Sequence, residues 1–450
     1  MNRLTADAIR ACLDGDIPAS IATCARDGTP NVTMLSQVQY VDGGHIALSY
    51  QFFNKTRQNI LANPHAMIDV VHPVTGATYQ LSLRYLRTET EGPLFERMKA
   101  KLAGIASHTG MTGVFRLRGA DIYHVQAIHA VPGPALPSPP RPSLLTATRA
   151  CGARLASGGD MAAILEQLLG DLRELFGIEH AMVLMLDDAA KRLYTVASIG
   201  YEISGVGSEI PLGEGVIGVA ARERTPIRIS HFASDYTYSR AVQESSAAAG
   251  MPGALETKIP LPGLPEPHSQ LAVPIMAGEL LFGILFAESA EDLRFGYDEE
   301  DALATLATQL GLVLFGLQQS GSASEESAPS GTLSSPPSGA PAVVRHYAAD
   351  DSIFIDDDYL IKGVAGAIFW KLIGEYASGR RSEYSNRELR LDAGLRLPAL
   401  SENLEARLIL LERRLNERCA FLRMEKTGRG RFRLQVRRPV KLIEMPGGEG

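Results

Sequence analysis

The chain has little of what would mark a secreted, membrane or zinc-binding protein. It contains four cysteines, and none forms a Cys-x-x-Cys pair, which argues against a zinc site or a disulfide framework and fits a reducing cytoplasm. Charged residues near the start argue against a secretory signal. The longest apolar run is cut by Gly311, Gly316 and Gln318 and is predicted to be too short to cross a bilayer. We therefore expect a cytoplasmic protein without a membrane partner.

Length and charge set further limits. At 450 residues the chain is too long for one ordinary core and predicts about three domains. The net charge of −7 argues against nucleic acid for the chain as a whole. Residues 423–438, however, carry seven basic side chains and one acidic one. This basic patch indicates a polyanionic partner for that part alone.

Two segments divide the chain. Residues 131–142 are rich in proline, which lacks an N–H donor, so they predict a semi-rigid spacer. Residues 320–341 are rich in Ser, Gly, Pro and Ala and predict a flexible tether. The predicted folding units are 1–130, 160–319 and 343–445, with a linker and helix lead-in at 131–159 and a flexible linker at 320–342.

The first unit is predicted to be a small mixed β-barrel. Six β-rich runs, at 19–25, 31–40, 45–50, 67–71, 79–87 and 114–125, alternate with two helical runs. Asp27-Gly28 is a hairpin turn signal. The order of the segments 26–33, 48–50, 54–60 and 63–64 resembles the pyridoxamine-phosphate-oxidase-like split barrel, a family that usually binds FMN between two subunits. A homodimer is therefore expected, although the sequence does not show which domain forms it.

The resemblance implies a flavin site in this barrel. Lys55 and Arg57 stand at a predicted helix N-terminus, where free N–H groups and the helix dipole attract a phosphate, and Thr56 adds a hydroxyl. The isoalloxazine edge would meet Ser49, Tyr50 and Gln51. The basic cluster that oxidases of this family use for a substrate phosphate is not found, so FMN binding is a stronger expectation than oxidase turnover.

Two alternatives for the barrel stay open. Lys55 and Arg57 can equally be an ordinary solvated helix start in an empty dimerisation module. A haem-binding variant is a lesser possibility, with ligands among His45, His65, His72, His124 and His129.

The middle unit combines a glycine-rich segment with an apolar hairpin. Gly213, Gly215 and Gly218 precede a helical run, and strands at 271–275 and 280–286 flank a Gly278 turn. Gly283 interrupts the second strand, where a missing side chain suits a bulge or a close backbone approach. Together with an opening helix (161–176) and a closing helix (298–317), these features resemble the GAF family of small-molecule sensor domains. The resemblance implies an antiparallel sheet flanked by helices, with a ligand pocket on one sheet face.

Loops on that scaffold hold the candidate ligand contacts. They are Tyr201, His231, Tyr236, Tyr238 and Arg240, whose aromatic rings and cation suit an anionic or heteroaromatic ligand. The alternative is a surface lid packed by its own aromatic rings. The domain body has no cysteine for a thioether-linked bilin, and no nucleophile stands next to a base.

The last unit has a strand, helices and a basic hairpin. The segment 385–388 is a capping box, and a long helix is predicted from Ser401 to Glu417, with an apolar stripe at Leu404, Leu408, Leu411 and Leu415. With the hairpin at 421–436, the order of elements resembles a winged helix of the response-regulator type. The resemblance implies that the long helix enters a DNA major groove while the hairpin touches the backbone.

Candidate DNA contacts follow from that resemblance. Asn403 and Arg407 suit base edges, because both side chains pair bidentately with purines, and Arg414 lies off the apolar stripe of the same helix. The phosphate contacts would be Lys426, Arg429, Arg431 and Arg433. The alternative is a winged helix that binds proteins.

These units predict an α+β multidomain chain: a split β-barrel, a GAF α/β sensor domain and a winged helix-turn-helix. The favoured function is a cytoplasmic ligand- or redox-responsive transcription regulator that binds DNA and a small molecule. Two alternatives remain: a flavin-dependent oxidoreductase with regulatory domains, and a signalling scaffold that binds protein partners. No catalytic residue and no metal site is assigned, and an enzymatic role is the weaker expectation.

Overall fold

The computed structural model describes residues 4–14, 17, 19–35, 37–50, 55–108, 117–138, 143–229, 259–320, 337–395, 404–428 and 430–445. Within these ranges the chain forms three units, which follow one another along the sequence. The first is built on a seven-stranded sheet, the second on a six-stranded sheet, and the third on two smaller sheets.

The first unit is an antiparallel sheet with helices. Its elements are a 3₁₀-helix (Ala6–Cys12), β1 (Ala19–Cys24), β2 (Pro30–Leu35), β3 (Val38–Asp42), β4 (His45–Tyr50), α1 (Lys55–Ala62), β5 (His65–Val71), β6 (Thr78–Glu89), α2 (Pro93–His108) and β7 (Gly119–Ala130). The strand order is β2-β1-β5-β6-β7-β4-β3. Gly28 turns β1 into β2 with φ of +87°, and the Asp27 side chain accepts from the Thr29 N–H, as the Asp-Gly signal predicts.

One expected strand of this unit was wrong in detail. The run at 31–40 is two strands, β2 and β3, which lie at opposite edges of the sheet. β2 alternates between exposed and half-buried residues, whereas β3 begins with the two buried residues Val38 and Gln39. The run is β-rich on both sides of the break, so residue type alone does not reveal it.

The middle unit is a sheet with helices on both faces. Its elements are α3 (Leu144–Ala156), α4 (Met161–Phe176), β8 (His180–Asp187), β9 (Arg192–Ile199), β10 (Glu209–Pro211), α5 (Gly215–Glu223), β11 (Ile227–Ile229), β12 (Ser269–Ala277), β13 (Leu280–Ser289) and α6 (Tyr297–Ser320). The strand order is β10-β9-β8-β13-β12-β11, with every pair antiparallel. Helices α3, α4 and α6 cover one face, and α5 packs on the other.

Two glycines of this unit sit where the backbone comes close. A Cβ built on Gly283 would lie 1.9 Å from the Leu184 carbonyl oxygen, and one on Gly218 would lie 2.4 Å from the Pro211 carbonyl oxygen. Such distances exclude any side chain without a backbone shift. The close approach predicted for Gly283 is therefore confirmed.

Helix α6 corrects the expectation about membrane spans. Its segment Tyr297–Gln319 is long and apolar enough, by length and composition, to cross a bilayer. The glycines that suggested a break do not end the helix. One face of α6 is buried against the sheet through Leu303, Leu306 and Leu310, and Gly311 lets it lie against the Met276 backbone. The helix thus serves as a core element of the middle unit.

The last unit has two sheets and three α-helices in the described residues. Its elements are β14 (Ala342–Tyr347), β15 (Ser352–Ile355), β16 (Asp358–Ile361), α7 (Gly363–Gly379), β17 (Glu383–Ser385), α8 (Asn386–Leu391), a 3₁₀-turn (Ala393–Leu395), α9 (Leu404–Arg418), β18 (Leu422–Gly428), β19 (Arg431–Val436) and β20 (Val440–Met445). The sheets have the orders β16-β15-β14-β20 and β17-β19-β18. Ser385 and Glu388 form the predicted capping box at the start of α8.

A buried polar junction joins the first two units. The guanidinium of Arg228, on β11, pairs with Asp14 of the first unit and lies 3.0 Å from the Glu300 carboxylate. The Tyr297 hydroxyl donates to the Leu13 carbonyl at 2.9 Å. Arg228 is only 2% exposed, so its charge depends on these partners.

Candidate functional site

In the barrel, the structure brings the predicted phosphate residues to the start of α1. Lys55 is the first residue of the helix and is exposed. Thr56 is buried, and its hydroxyl accepts from the Asn31 side-chain amide at 2.8 Å. The first-turn N–H groups of α1 are the donors that an anion would use.

Arg57, in the first turn of α1, is held by side chains of neighbouring strands. Its guanidinium lies 2.5 Å from the Asp121 carboxylate, donates to the Thr88 hydroxyl at 2.8 Å and covers the Tyr50 ring at 4.6 Å. Burial raises the pKa of Asp121 despite the attraction of Arg57. A ligand phosphate would therefore have to compete with Asp121 for this cation. The sequence offered no signal for this pair, because the two residues meet only through the sheet.

The other predicted flavin contacts lie near the same region. Ser49 and Tyr50 end β4, and the Ser49 hydroxyl is buried without a partner among the described residues. Gln51 lies outside the described residues. One anionic group fits the donors of this region, which are Lys55, the N-terminus of α1 and, for a polar ring edge beside that group, Ser49. Arg57 is already paired with Asp121.

The histidines of the barrel do not form a ligand cluster. His45 lies 2.9 Å from Asp42 and 5.5 Å from the His124 ring, and His72 accepts from the Val74 and Thr75 N–H groups. Across the described part of the chain, no group of three or more His, Cys, Asp or Glu side chains could hold a metal ion. The haem alternative gains no support from these contacts.

In the middle unit, a buried polar group lies at one end of the sheet face that α5 covers. The Glu288 carboxylate, on β13, accepts from the Leu264 N–H at 2.8 Å and from the Gln270 side chain at 3.0 Å. Tyr201 lies beside this carboxyl, and its ring is 5.5 Å from the His180 ring. Burial raises the pKa of Glu288 and that of Tyr201.

This group contains one of the predicted ligand residues. Tyr201 is there, whereas His231, Tyr236, Tyr238 and Arg240 lie outside the described residues. Sequence reasoning missed Glu288, Gln270 and His180. The available signal was a charged residue at the end of an otherwise apolar strand, since a carboxylate is rarely buried without a specific partner.

In the last unit, α9 lies between its own unit and the middle unit. The predicted stripe of Leu404, Leu408, Leu411 and Leu415 is buried. Arg407, expected to face a base edge, is 5% exposed, lies 2.7 Å from the Asp187 carboxylate of β8 and covers the Tyr194 ring at 3.9 Å. In this arrangement Arg407 cannot reach DNA.

Further contacts hold α9 in place, and sequence reasoning missed them. Arg413 donates to the Val196 carbonyl at 2.8 Å and to the Glu166 carboxylate at 3.1 Å. The Glu417 carboxylate accepts from the Ser204 hydroxyl at 2.5 Å. The long helix is therefore bonded to β8, β9 and α4 of the middle unit and to the Ser204 loop.

The remaining predicted DNA residues are mostly paired within the chain. Arg414 is buried and donates to the Leu360 carbonyl at 2.9 Å, Lys426 lies 2.8 Å from Asp160, and Arg433 lies 2.6 Å from Glu383. Arg431 is partly exposed on the hairpin. Asn403 and Arg429 lie outside the described residues. The hairpin therefore offers less free positive charge than its composition indicates.

Comparison with known protein families identifies two of the three units. A family model named pyridoxamine 5'-phosphate oxidase matches residues 5–126, and a GAF domain model matches residues 160–314. The chain therefore contains a pyridoxamine 5'-phosphate oxidase-like domain followed by a GAF domain. No curated protein sequence matches the chain.

Solved structures resemble parts of the chain. The GAF domain of an Acinetobacter phosphoenolpyruvate-protein phosphotransferase is 21% identical, with 38% of this chain and 90% of that chain covered and a TM-score of 0.30. An FMN-binding protein from Syntrophomonas wolfei is 16% identical, with 28% and 82% covered and a TM-score of 0.23. A free methionine-R-sulfoxide reductase from Neisseria meningitidis, in complex with its substrate, is 18% identical, with 41% and 98% covered and a TM-score of 0.30.

Proposed function

We propose that the chain is a cytoplasmic, ligand-responsive regulatory protein in which the GAF domain controls access to α9 of the C-terminal unit. The supporting observation is the position of α9, which is buried between the two units and tied to the GAF domain by Arg407 and Arg413. A helix held by polar contacts to a sensor domain can be released when a ligand favours another arrangement of that domain.

The released C-terminal unit is proposed to bind DNA as a winged helix. The order α7, β17, α8, α9 and the β18–β19 hairpin, with β17 added to the hairpin sheet, supports this assignment. Release would expose Arg407 and free Lys426 from Asp160, a residue of the GAF domain. Both cations would then be available to phosphate or bases.

The ligand of the GAF domain is proposed to bind on the sheet face that carries Glu288 and Tyr201. A buried carboxyl with several fixed donors can report a ligand, because any change in its partners is costly in a low-dielectric site. In the barrel we propose FMN. Lys55 and the N-terminus of α1 would hold the phosphate, and Ser49 would face the ring system, so that the barrel adds a redox-active group to the sensor.

The test changes only the GAF side of the contact, so that the candidate DNA surface stays intact. Asp187→Asn with Glu166→Gln removes the partners of Arg407 and Arg413. The matched control is Asp188→Asn with Glu174→Gln, which removes the same charge at exposed positions. Hydrogen exchange of α9 and fluorescence anisotropy with a labelled DNA duplex at low salt are measured on the full chain.

The proposal expects faster exchange in α9 and salt-dependent duplex binding in the first variant, and neither in the control. Faster exchange without duplex binding would show that α9 is gated but that its partner is another macromolecule, as in the scaffold alternative. Unchanged exchange in α9 would contradict the gate itself.

A further inference from the structure

A cavity of about 820 Å³ lies between the GAF domain and the C-terminal unit. Its GAF wall is the start of α4 and the end of α6, and its other wall is α9 with the β18–β19 hairpin. These GAF helices pack on the sheet face opposite α5, so the cavity is separate from the Glu288 group. Its volume is that of a site for a small organic molecule.

Most of the cavity wall is apolar. Both units contribute, through Ile164, Val313 and Leu317 on one side and Leu408, Ile409, Met424 and Phe432 on the other. A ligand that fills the cavity would therefore remove apolar surface of both units from water, which favours binding roughly in proportion to the area covered.

Some charged side chains of the cavity wall form ion pairs within the chain, and others do not. Asp160 is paired with Lys426 at 2.8 Å, and Glu405 is paired with Arg390 at 2.5 Å. Glu412, on α9, makes no ion pair or hydrogen bond among the described residues. The two cations whose charge acts on its carboxylate, Lys426 and Arg413, are paired with Asp160 and Glu166.

The surroundings of Glu412 disfavour its ionised carboxylate. The side chain is partly buried, and this burial raises its pKa. A carboxylate in such surroundings gains from a cation that can approach through the open space beside it. Arg431, on the hairpin, is the other charged group of the wall without an ion pair among the described residues, and it is partly exposed.

We infer that this cavity binds an amphipathic cation: a small molecule whose apolar body lies against Leu408, Met424 and Val313 and whose amine or guanidinium group pairs with Glu412. The binding site itself is inferred only from the contacts described above. Its effect on α9, given next, rests on the proposed function. Because the walls come from both units, an occupant stabilises the arrangement in which α9 is covered.

The test uses three probes with the same apolar body and a different head group: 2-phenylethylamine, 2-phenylethanol and 3-phenylpropanoate. Isothermal titration calorimetry on the full chain is expected to show saturable binding of the amine, at least ten times tighter than the alcohol or the acid. Glu412→Gln is expected to remove the preference for the amine. Glu425→Gln, an exposed position on β18 with the same change of charge, is the control and is expected to keep the preference.

A second variant fills the cavity without touching the carboxylate. Gly316 lines the wall, and a Cβ built there meets no atom within 4 Å, so Gly316→Leu places a side chain in the opening without a backbone clash. It is expected to abolish amine binding. Gly170→Leu, at an equally open helix position outside the cavity, is expected to leave it unchanged.

Equal binding of amine and alcohol, tighter binding of the acid, no saturable amine binding, or amine binding that survives Gly316→Leu would each overturn this assignment. None of these results depends on whether the chain binds DNA. The duplex experiment can therefore fail while this one succeeds, and the reverse.

Discussion

The guanidinium of Arg407 lies 2.7 Å from the carboxylate of Asp187, and the pair joins α9 of the C-terminal unit to β8 of the GAF domain. Both side chains are largely buried. Removing one partner of a buried pair leaves an uncompensated charge, whereas replacing both by apolar residues is often neutral. This pair is therefore one of the contacts that hold α9 against the GAF domain.

The first prediction is a double-mutant cycle on this pair. Arg407→Met and Asp187→Leu are each expected to lower the free energy of unfolding by about 3 kcal/mol, and the double variant by much less. Urea unfolding of the full chain measures the three values. Additive losses would mean that the two side chains do not interact in solution.

The second prediction concerns Arg228, which joins the barrel to the GAF domain. Arg228→Met leaves the carboxylates of Asp14 and Glu300 without their cation, so a loss of about 3–5 kcal/mol is expected. Because the junction couples the two units, scanning calorimetry should also show separate transitions. Arg224→Met, exposed and 3.9 Å from Glu279, is the control and should have little effect. A single unshifted transition in Arg228→Met would rule out the coupling.

The third prediction tests FMN in the barrel. Asp121→Asn frees Arg57 from its carboxylate, and a phosphate can then replace that partner, so FMN is expected to bind about ten times more tightly. Quenching of flavin fluorescence on titration measures the change. Asp69→Asn, exposed on β5, serves as the control. Weaker or unchanged binding would show that Arg57 does not act on the phosphate.

The fourth prediction is a pH dependence. Burial raises the pKa of folded Glu288 above its unfolded value of 4.5, so the stability it contributes is present below pH 4.5 and is lost as pH rises through the folded pKa. Glu288→Gln does not titrate. The original chain should therefore lose free energy of unfolding relative to Glu288→Gln as pH rises from 4.5 towards neutrality. Glu291→Gln, at an exposed position, should leave the profile unchanged. If the free energy of unfolding changes with pH in the same way in Glu288→Gln and in the original chain, the raised pKa of Glu288 is contradicted.

The fifth prediction tests the homodimer expected from the sequence and places its contact on the barrel. Val32 and Met67 are 69% and 40% exposed, and both pair with Ala22 of the strand between them, so they form one apolar row across β2, β1 and β5. Such a row favours contact with a second copy. Val32→Asp is expected to shift sedimentation towards the monomer without loss of secondary structure. Leu391→Asp changes an exposed leucine away from this row and is not expected to shift the sedimentation coefficient. An unchanged sedimentation coefficient would exclude this surface.

Local features of the fold were predictable because their causes lie close together in the sequence. The Asp27-Gly28 turn and the capping box of Ser385 and Glu388 each act on backbone groups within a few residues. The order of the β-rich, helical and glycine-rich segments was enough to indicate the barrel and the GAF domain, which the family comparison supports.

The sites were predicted less well, because their partners come from distant parts of the chain. The sequence determined that Arg57 and Arg407 would be cations on helices, and it favoured a phosphate for Arg57 and a DNA base edge for Arg407. Only the tertiary structure decided that Arg57 would pair with Asp121 and Arg407 with Asp187. The physical reason is that a buried charge takes whichever opposite charge the packing of the sheets brings within a few ångströms, and no local pattern records that choice.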